Sequence, residues 1–288
     1  MKNIFVKIGL FLEMIKFEHS IFALPFAYLG LLMAAGKWPS IFVFFWITVA
    51  MVSFRTMAMG LNRLLDLRID AANPRTEGRA LPQKKLRVSL VWGLVLLSFL
   101  VFEGSAYRLG ALCFLLSPVP VVLAVVYPFT KRFTWFSHFV LGLVLGIAPY
   151  GAWIAVTGHF AWVPAFLSGG VLCWVAGFDM IYALQDAEFD RSYGLYSVPA
   201  KFGTARTMQW TQVLHVAAVL CWAVAGYLNS AGWLYGIGLV LASCLLIREH
   251  SVIRSFGAAK MNEAFFILNA VISVTLLLAV VLDIAFKS

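Results

Sequence analysis

Long apolar runs alternate with short polar connections along almost the whole chain. The runs are roughly 20 residues long, which is the length that a helix needs to cross the hydrocarbon core of a bilayer. They predict nine spans, at about residues 20–36, 40–62, 88–107, 109–127, 136–156, 160–182, 208–228, 232–248 and 264–285. The pattern therefore predicts an all-α, polytopic membrane protein, with a single bundle domain over residues 1–288.

Most of the polar residues lie in two long connections, 63–87 and 183–207. The other connections are short, so the chemistry of the protein is expected in these two. Ahead of the first span, the apolar residues of segment 1–17 recur at helical spacing among lysines: Phe5, Ile8, Leu12 and Ile15. That spacing is typical of a helix that lies on the membrane surface.

Basic residues lie mainly on one side of the predicted bundle. An odd number of spans puts the two termini on opposite sides, and with a cytoplasmic N-terminus eighteen of the 22 Lys and Arg residues lie in the cytoplasm or at its membrane face. Lys37, Arg108 and Lys287 lie on the other side, and Arg55 lies inside a span. This imbalance predicts that both long connections lie in the cytoplasm and the C-terminus outside.

The composition narrows the possible partners. Hydrophobic residues make up 62% of the chain and charged residues 12%, whereas a soluble domain has about 25% charged residues. The net charge of +9 would suit nucleic acid, but the basic residues form no soluble recognition element. We therefore expect the lipid bilayer as a partner, no nucleic acid and no obligate protein partner. The four cysteines lie singly in apolar runs, which argues against a disulfide framework or a zinc site.

Seven of the thirteen acidic residues fall in two short windows. In the first window, GLNRLLDLRID, Asn62, Asp66 and Asp70 are spaced four residues apart. On a helix with about 100° per residue they drift by only about 80°, so their side chains form one stripe. Glu77 follows in the same connection. The stripe lies at the predicted cytoplasmic end of a span.

The second window, GFDMIYALQDAEFD, contains a similar stripe. On a continuous helix Asp179, Asp186 and Asp190 lie within about 40° of arc, and Tyr182 lies near the same face. Glu188 points to the opposite side of that helix, so it is the weakest candidate of the group. The sequence thus predicts a second row of carboxylates at the same membrane face.

Two such rows facing each other would repel unless divalent cations lay between them. Oxygen ligands without His or Cys suit Mg²⁺, which is often shared between carboxylates and substrate phosphates. A single Asp near a helix end is more often a cap or a solvated terminus than a ligand. Carboxylates in or at the edge of a membrane are costly, so they tend to be functional. Two rows of them therefore favour the metal-site interpretation over helix caps.

Basic residues near the two windows are candidates for binding a diphosphate: Arg75, Arg79, Lys131, Arg132 and Lys201. Arginine offers a bidentate fork and lysine a point charge for such an anion. The alternative explanation for each of them is the excess of positive charge in cytoplasmic loops, and it is favoured for Lys84, Lys85 and Arg87.

Several segments together resemble the UbiA superfamily of intramembrane prenyltransferases. They are MIKFEHSIFALPFAYLG, NRLLDLRID followed by ANPRTEGRALP, YPFTKR, and D-x2-Y-x3-D-x3-D followed by GLYSVPAKFG. The resemblance implies Mg²⁺-dependent transfer of a polyprenyl group from polyprenyl diphosphate to an aromatic acceptor. It also implies Mg²⁺-diphosphate binding by Asn62, Asp66, Asp70, Asp186 and Asp190, with help from Lys131 and Arg132. Many relatives carry Arg directly after the central Asp of the first motif, whereas this chain has Leu67 there and Arg68 next.

The aromatic acceptor is left open by these patterns. The motif sequences resemble those of one branch of the family, whose members act in respiratory quinone biosynthesis. They prenylate 4-hydroxybenzoate or, in the futalosine route, a dihydroxynaphthoate. A haem- or chlorin-prenylating relative is an alternative, and so is a cation transporter, whose acids would be expected near the bilayer midplane. We expect the four aspartates Asp66, Asp70, Asp186 and Asp190 to be catalytic. The residues expected to bind substrate are Asn62, Arg75, Arg79, Lys131, Arg132, Asp179, Tyr182 and Lys201, and those expected to line the tail channel are Phe22, Phe26, Tyr150 and Trp153.

Overall fold

The computed structural model describes residues 2–16, 20–256 and 261–287, and within these ranges its regular structure is entirely helical. The α-helices are α1 Lys2–Met14, α2 Ser20–Ala35, α3 Ile41–Leu65, α4 Leu67–Ala72, α5 Val88–Leu109, α6 Ala111–Leu116, α7 Pro118–Thr130, α8 Ser137–Thr157, α9 Trp162–Tyr182, α10 Ala187–Tyr193, α11 Val198–Leu228, α12 Trp233–Phe256 and α13 Met261–Lys287. A 3₁₀ turn, Ala183–Asp186, joins α9 to α10.

Eight helical segments of the described chain are long and apolar enough to cross a membrane. They are Ile41–Leu65, Val88–Leu109, Ala111–Thr130, Ser137–Thr157, Trp162–Tyr193, Val198–Leu228, Trp233–Ser255 and Phe266–Phe286. The first predicted span corresponds to a shorter apolar helix, within α2. The prediction of an all-α, polytopic membrane protein is therefore confirmed, and the nine predicted spans become eight long helices and one short one.

The two long connections are more helical than the sequence predicted. The first contains α4, and the second contains the 3₁₀ turn, α10 and the start of α11. Helix α11 begins at Val198 instead of the predicted 208, with Pro199 near its N-terminus where a missing N–H does no harm. A kink at Gly203, with φ 75° and ψ 173°, interrupts this helix, and a glycine adopts that conformation without strain. Loop-like composition therefore concealed short helices here.

The core of the bundle lies around α9, which packs between α8 and α11. The approach of α8 is close: a Cβ atom on Gly142 would lie 2.5 Å from the carbonyl oxygen of Leu172. On the other side Trp174 and Trp222 are fully buried, with ring centroids 6.2 Å apart. Small residues at helix contacts are how membrane bundles gain packing energy, because lipid tails are as apolar as the side chains. The middle of α9 is thereby packed between α8 and α11.

Helix α1 packs onto the bundle with one face. Phe11, Met14 and Ile15 are buried in a cluster that includes Met57 and Leu61 of α3, whereas other apolar positions such as Ile8 remain half exposed. The predicted helical spacing of segment 1–17 is present, with α1 covering Lys2–Met14.

The orientation in the membrane remains a prediction. A reporter inserted after Gln83 is expected in the cytoplasm, and one fused after the C-terminus on the opposite side, because eighteen of 22 basic residues then lie in the cytoplasm or at its membrane face. Each reporter is a single cysteine. Its labelling by a membrane-impermeant maleimide, compared between intact cells and inverted vesicles, shows on which side of the membrane it lies. Two reporters on the same side would contradict the odd number of crossings.

Candidate active site

The first acidic motif lies where α3 leaves the bundle. Helix α3 ends at Leu65, Asp66 forms the junction with φ −94° and ψ 7°, and α4 begins at Leu67. The Asp66 and Asp70 amides continue the helical hydrogen bonding, to Asn62 and Asp66 respectively, so the motif keeps close to a helical path. Asp66 is only 2% exposed and Asp70 6%. Two carboxylates are thus buried at the end of one membrane helix.

Asp66 is neutralised by the loop that follows α7. The Lys131 ammonium lies 2.8 Å from one carboxylate oxygen, and the Arg132 guanidinium lies 3.4 Å from the other. Arg132 also donates to the carbonyl oxygen of Leu65 at 2.7 Å, which ties this loop to the end of α3. Buried charges need such partners, because desolvation of an unpaired carboxylate is expensive.

Asp70 and Asp186 are paired with arginines from the connection after α4. One terminal nitrogen of Arg79 lies 2.8 Å from both Asp70 oxygens, and Arg63 approaches to 3.8 Å. Arg75 makes a two-pronged contact with Asp186, with its Nε 2.7 Å from Oδ1 and a terminal nitrogen on Oδ2. Such fork-like pairs fix geometry as well as charge. Arg75 therefore bridges the first motif to the second.

The bridge between the motifs has two further contacts. The Asn73 amide donates to Asp186 at 3.0 Å, and Arg75 donates to the Tyr182 hydroxyl at 3.0 Å. Partial burial alone would lower the pKa of Arg75, but its hydrogen bonds and charge contact with Asp186 outweigh burial and raise that pKa above the ordinary value. The guanidinium of Arg75 is thus firmly charged between the two motifs.

The sequence predicted that the two rows of acids would repel each other unless divalent metal ions lay between them. These ion pairs correct that prediction, because lysine and arginine side chains already compensate the carboxylates. In the described chain no group of three or more His, Cys, Asp or Glu side chains converges to hold a metal ion. The second row is also not a continuous α-helix, since the 3₁₀ turn at Ala183–Asp186 advances about 120° per residue. The phase calculated for an unbroken helix therefore does not apply across this turn.

The remaining acids of the second motif have neutral partners or none. Asp190 is within hydrogen-bonding reach of the Ser197 hydroxyl. Asp179 lies 2.7 Å from Nδ1 of His138, a residue outside every motif that the sequence drew attention to. Glu188 is exposed, as its predicted orientation away from the site requires. His138 could have been suspected only as a histidine at the start of an apolar helix.

Lys201 is the one predicted substrate-binding residue that lies elsewhere. Its ammonium lies 5.4 Å from the centroid of the Trp135 ring and 5.2 Å from that of Phe202. An ammonium over aromatic faces is already stabilised by them. The structure thus places Lys201 against an aromatic cluster and not beside a carboxylate of the motifs.

An apolar cavity of about 190 Å³ begins beneath the first motif and extends into the bundle. Asn62 and Tyr127 lie at its polar end. Arg55, which hydropathy left inside a span, also lines the cavity, about two helical turns from Asn62. Most other lining residues are apolar and come from α3 and α5 to α8. The polar site therefore opens directly onto an apolar chamber.

Three of the four predicted tail-channel residues, Phe26, Tyr150 and Trp153, do not line this cavity. Phe26 and Trp153 are buried in the core around Trp174, and the Tyr150 hydroxyl donates to the carbonyl of Ala161 at 3.1 Å. The side chain of Phe22 lies outside the described residues. Aromatic residues in a bundle serve packing as readily as a channel, so residue type alone did not identify the lining.

The donor set of the site suits Mg²⁺. Its candidate ligands are the carboxylates of Asp66, Asp70, Asp186 and Asp190 and the amide oxygen of Asn62, all of them hard oxygen donors. Lys131, Arg132, Arg75 and Arg79 surround the same carboxylates. Cations and carboxylates mixed in this way can hold a metal together with a polyanion such as diphosphate, because the basic groups can then turn to the phosphates.

Comparison with known proteins finds similarity over most of the chain. The model of the UbiA prenyltransferase family matches residues 23–271. The chain is 27% identical over 237 residues to a protein of Shewanella woodyi named 4-hydroxybenzoate octaprenyltransferase, and the match covers 82% of each chain.

Two solved structures have the same fold. A UbiA homologue from Aeropyrum pernix K1, solved in its apo form, superposes with a TM-score of 0.84 at 30% identity, over 92% of this chain and 98% of that one. A UbiA homologue from Archaeoglobus fulgidus, solved with DMAPP and Mg²⁺, superposes with a TM-score of 0.71 at 18% identity, over 96% of this chain and 99% of that one.

Proposed function

Because the chain belongs to the UbiA prenyltransferase family, we propose that it transfers a polyprenyl group from its diphosphate to a small aromatic acid during respiratory quinone biosynthesis. The acceptor proposed first is 4-hydroxybenzoate, which is supported by the name of the Shewanella woodyi relative. A dihydroxynaphthoate is the second candidate. The proposed location is the bacterial inner membrane, with the site at its cytoplasmic face.

One observation carries the proposal: the buried carboxylates of Asp66 and Asp70, with more exposed carboxylates and cations around them, lie at the polar end of an apolar cavity. Asn62 belongs to both parts, since it precedes Asp66 by one helical turn and also lines the cavity. A polyprenyl diphosphate has the same division, with an anionic head joined to an apolar tail. The head fits the charged cluster and the first part of the tail fits the cavity.

The basic residues of the cluster would stabilise the leaving group. Breaking the allylic C–O bond leaves its electron pair on diphosphate and a positive charge on the prenyl group. Lys131, Arg132, Arg75 and Arg79 are already held within ion-pairing distance of the aspartates, so their donors are in place where this negative charge develops. Mg²⁺ held by Asn62, Asp66, Asp70, Asp186 and Asp190 would supply further charge stabilisation to the diphosphate oxygens.

The cavity would protect the prenyl cation from water. Its lining is mostly apolar, and a dry chamber also strengthens the electrostatic contacts at its mouth. An electron-rich ring carbon of the acceptor then forms the new C–C bond, and loss of the proton from that carbon restores aromaticity. Asp186 is engaged by Arg75 and Asn73, so Asp190, whose partner is the Ser197 hydroxyl, is a better candidate than Asp186 to accept that proton.

The cavity also contains a cation suited to an aromatic acid. Arg55 lines the chamber roughly 10 Å along α3 from Asn62. A guanidinium binds a carboxylate more favourably in such a low-dielectric setting than in water. Arg55 thus gives a reason why a benzoate or naphthoate, and not an uncharged phenol, would be the acceptor.

Product analysis tests the proposal. Purified protein in lipid nanodiscs is incubated with geranyl diphosphate or a longer prenyl diphosphate, Mg²⁺ and either 4-hydroxybenzoate, 1,4-dihydroxy-2-naphthoate or haem. Mass spectrometry of the extract is expected to show prenylated 4-hydroxybenzoate. Product only from the naphthoate would favour the second acceptor, product only from haem would overturn the aromatic-acid proposal, and no product from any of them would refute prenyl transfer.

Filling the cavity is expected to penalise long prenyl chains. Ala148 lines the chamber from α8, and Ala148→Phe should raise KM for a long prenyl diphosphate by about tenfold or more, since overpacking typically costs about 1–3 kcal/mol. Geranyl diphosphate should be affected less, because less of its tail needs the space. The matched control is Ala285→Phe, at an exposed position of α13. Equal effects on both chain lengths would contradict the assignment of the cavity to the tail.

A further inference from the structure

His138 lies in the first turn of α8, beside the second acidic motif but outside both acidic windows. It is 3% exposed. Its Nδ1 lies 2.7 Å from Oδ2 of Asp179, and its Nε2 lies 3.3 Å from the backbone nitrogen of Val198. Both ring nitrogens therefore have partners, one on α9 and one at the start of α11.

These partners determine the tautomer of the ring. A backbone N–H can only donate, so Nε2 of His138 must be the unprotonated acceptor for Val198. The single proton of the neutral imidazole then lies on Nδ1 and is donated to Asp179. The orientation of the ring is fixed from both ends.

Asp179 differs in this respect from three other aspartates of the site. Asp66, Asp70 and Asp186 each face a lysine or an arginine, whereas Asp179 receives its hydrogen bond from a neutral ring. Its negative charge is therefore oriented but not cancelled. The geometry of Asp179 is thus set by His138, at 2.7 Å, within the second acidic motif.

The other partner of His138 belongs to a short segment, Tyr196 to Val198, that contacts several parts of the site. The Tyr196 N–H donates to the carbonyl of Lys131 at 2.7 Å, and Lys131 in turn pairs with Asp66. The Ser197 side chain is hydrogen-bonded to Asp190. The hydrogen bond from Val198 to His138 completes this set, so one imidazole joins Asp179 to the segment that also orients Lys131 and Asp190.

We propose that His138 is a positioning residue for prenyl transfer, which fixes the Asp179 carboxylate within the second acidic motif. This inference rests on the proposed function and assigns a role to a residue that neither motif contains. His138 makes no contact with the reacting atoms in this scheme. It acts by holding Asp179 and the Tyr196–Val198 segment in register.

A matched pair of variants tests the role. His138→Gln keeps a donor and an acceptor on a side chain of similar length, whereas His138→Met keeps the length and loses both. We expect His138→Met to lower kcat by about 10–100-fold, the range found when supporting partners of active-site groups are removed. KM for the prenyl diphosphate should change by less than about threefold, and His138→Gln should retain most of the activity. The control His159→Met, at an exposed position, should behave like the wild type.

A double-mutant cycle with Asp179→Asn shows whether His138 acts through Asp179. Independent sites give multiplicative losses of rate, whereas coupled ones do not. In the Asp179→Asn background, His138→Met should lower kcat by less than about a further twofold. Multiplicative losses, or equal activity of the Gln and Met variants at equal thermal stability, would overturn the inference.

The prenyl-transfer activity of the wild type, measured in the same assay, distinguishes a failure of this inference from a failure of the proposed function. If the wild type prenylates no acceptor, the proposed function fails, and the ring geometry is tested by ¹⁵N NMR of histidine-labelled protein. A neutral histidine protonated on Nδ1 is expected in the wild type and should be missing in His138→Gln. A spectrum without that tautomer overturns the inference, whatever the activity.

Discussion

Asp66→Asn and Asp186→Asn are each expected to lower the rate of prenyl transfer by roughly 10²- to 10³-fold, the loss typical of removing one preorganised electrostatic group. The two carboxylates come from different motifs, and each lies among the cations proposed to bind diphosphate. Replacing either by an amide removes a negative charge that holds Mg²⁺ and orients Lys131 or Arg75. Both variants keep the size of the side chain, so the loss should fall on kcat with the fold intact.

The control for both variants is Glu188→Gln, which should keep a rate within about twofold of the wild type because surface substitutions rarely matter. Glu188 lies between Asp186 and Asp190 in sequence, but its side chain is exposed. Melting temperatures measured in the same nanodiscs show whether a variant is folded. Wild-type rates for both Asp variants would remove the two-motif site, and a loss for Glu188→Gln as large as theirs would mean that the orientation of α10 is wrong.

Removing divalent cations with EDTA is expected to abolish turnover, and added Mg²⁺ or Mn²⁺ should restore it. The cations that would bind diphosphate are paired with Asp66, Asp70 and Asp186, so if they turn to the phosphates the carboxylates need another positive partner, which Mg²⁺ would supply. Oxygen ligands favour Mg²⁺ and Mn²⁺ over softer metals. Release of diphosphate, measured with and without chelator on the same protein sample, provides the readout.

Two controls make the metal experiment decisive. Zn²⁺ should restore less activity than Mg²⁺ at equal free concentration, because the proposed ligands include neither His nor Cys. Circular dichroism should show unchanged helix content in EDTA, since the bundle is held by packing between its helices. Full turnover in EDTA would exclude the proposed metal dependence and leave Lys131, Arg132, Arg75 and Arg79 to stabilise the leaving group alone.

The positions of the acidic motifs were predictable, but their partners were only partly so. Lys131 and Arg132 were candidates from the sequence, yet the pairing of Lys131 with Asp66 and of Arg75 with Asp186 joins residues far apart in the chain, by 111 positions in the second case. Lys201 was an equally reasonable candidate on charge alone, and it packs on Trp135 and Phe202. Charge and spacing in the sequence do not specify which loop approaches which helix end.

Local backbone geometry set another limit. A period of 100° per residue placed Asn62, Asp66 and Asp70 on one stripe, and the chain stays near a helical path there. The same period applied to residues 179–190 met the 3₁₀ turn at Ala183–Asp186. Nothing in ALQD favours a tighter turn over an α-helix, so this change depends on how α9 ends against its neighbours.

The sequence by itself determined the all-helical membrane fold, because the bilayer selects for unbroken apolar segments with internally paired backbones, a requirement that each segment meets alone. It also determined that acidic side chains gather near the ends of two helices. Only the tertiary structure decided which cation faces which carboxylate, where the cavity runs, and that His138 holds Asp179 across 41 residues of sequence. Those features depend on distances between separate helices, which are fixed by side-chain packing in the assembled bundle and leave no periodic trace along the chain.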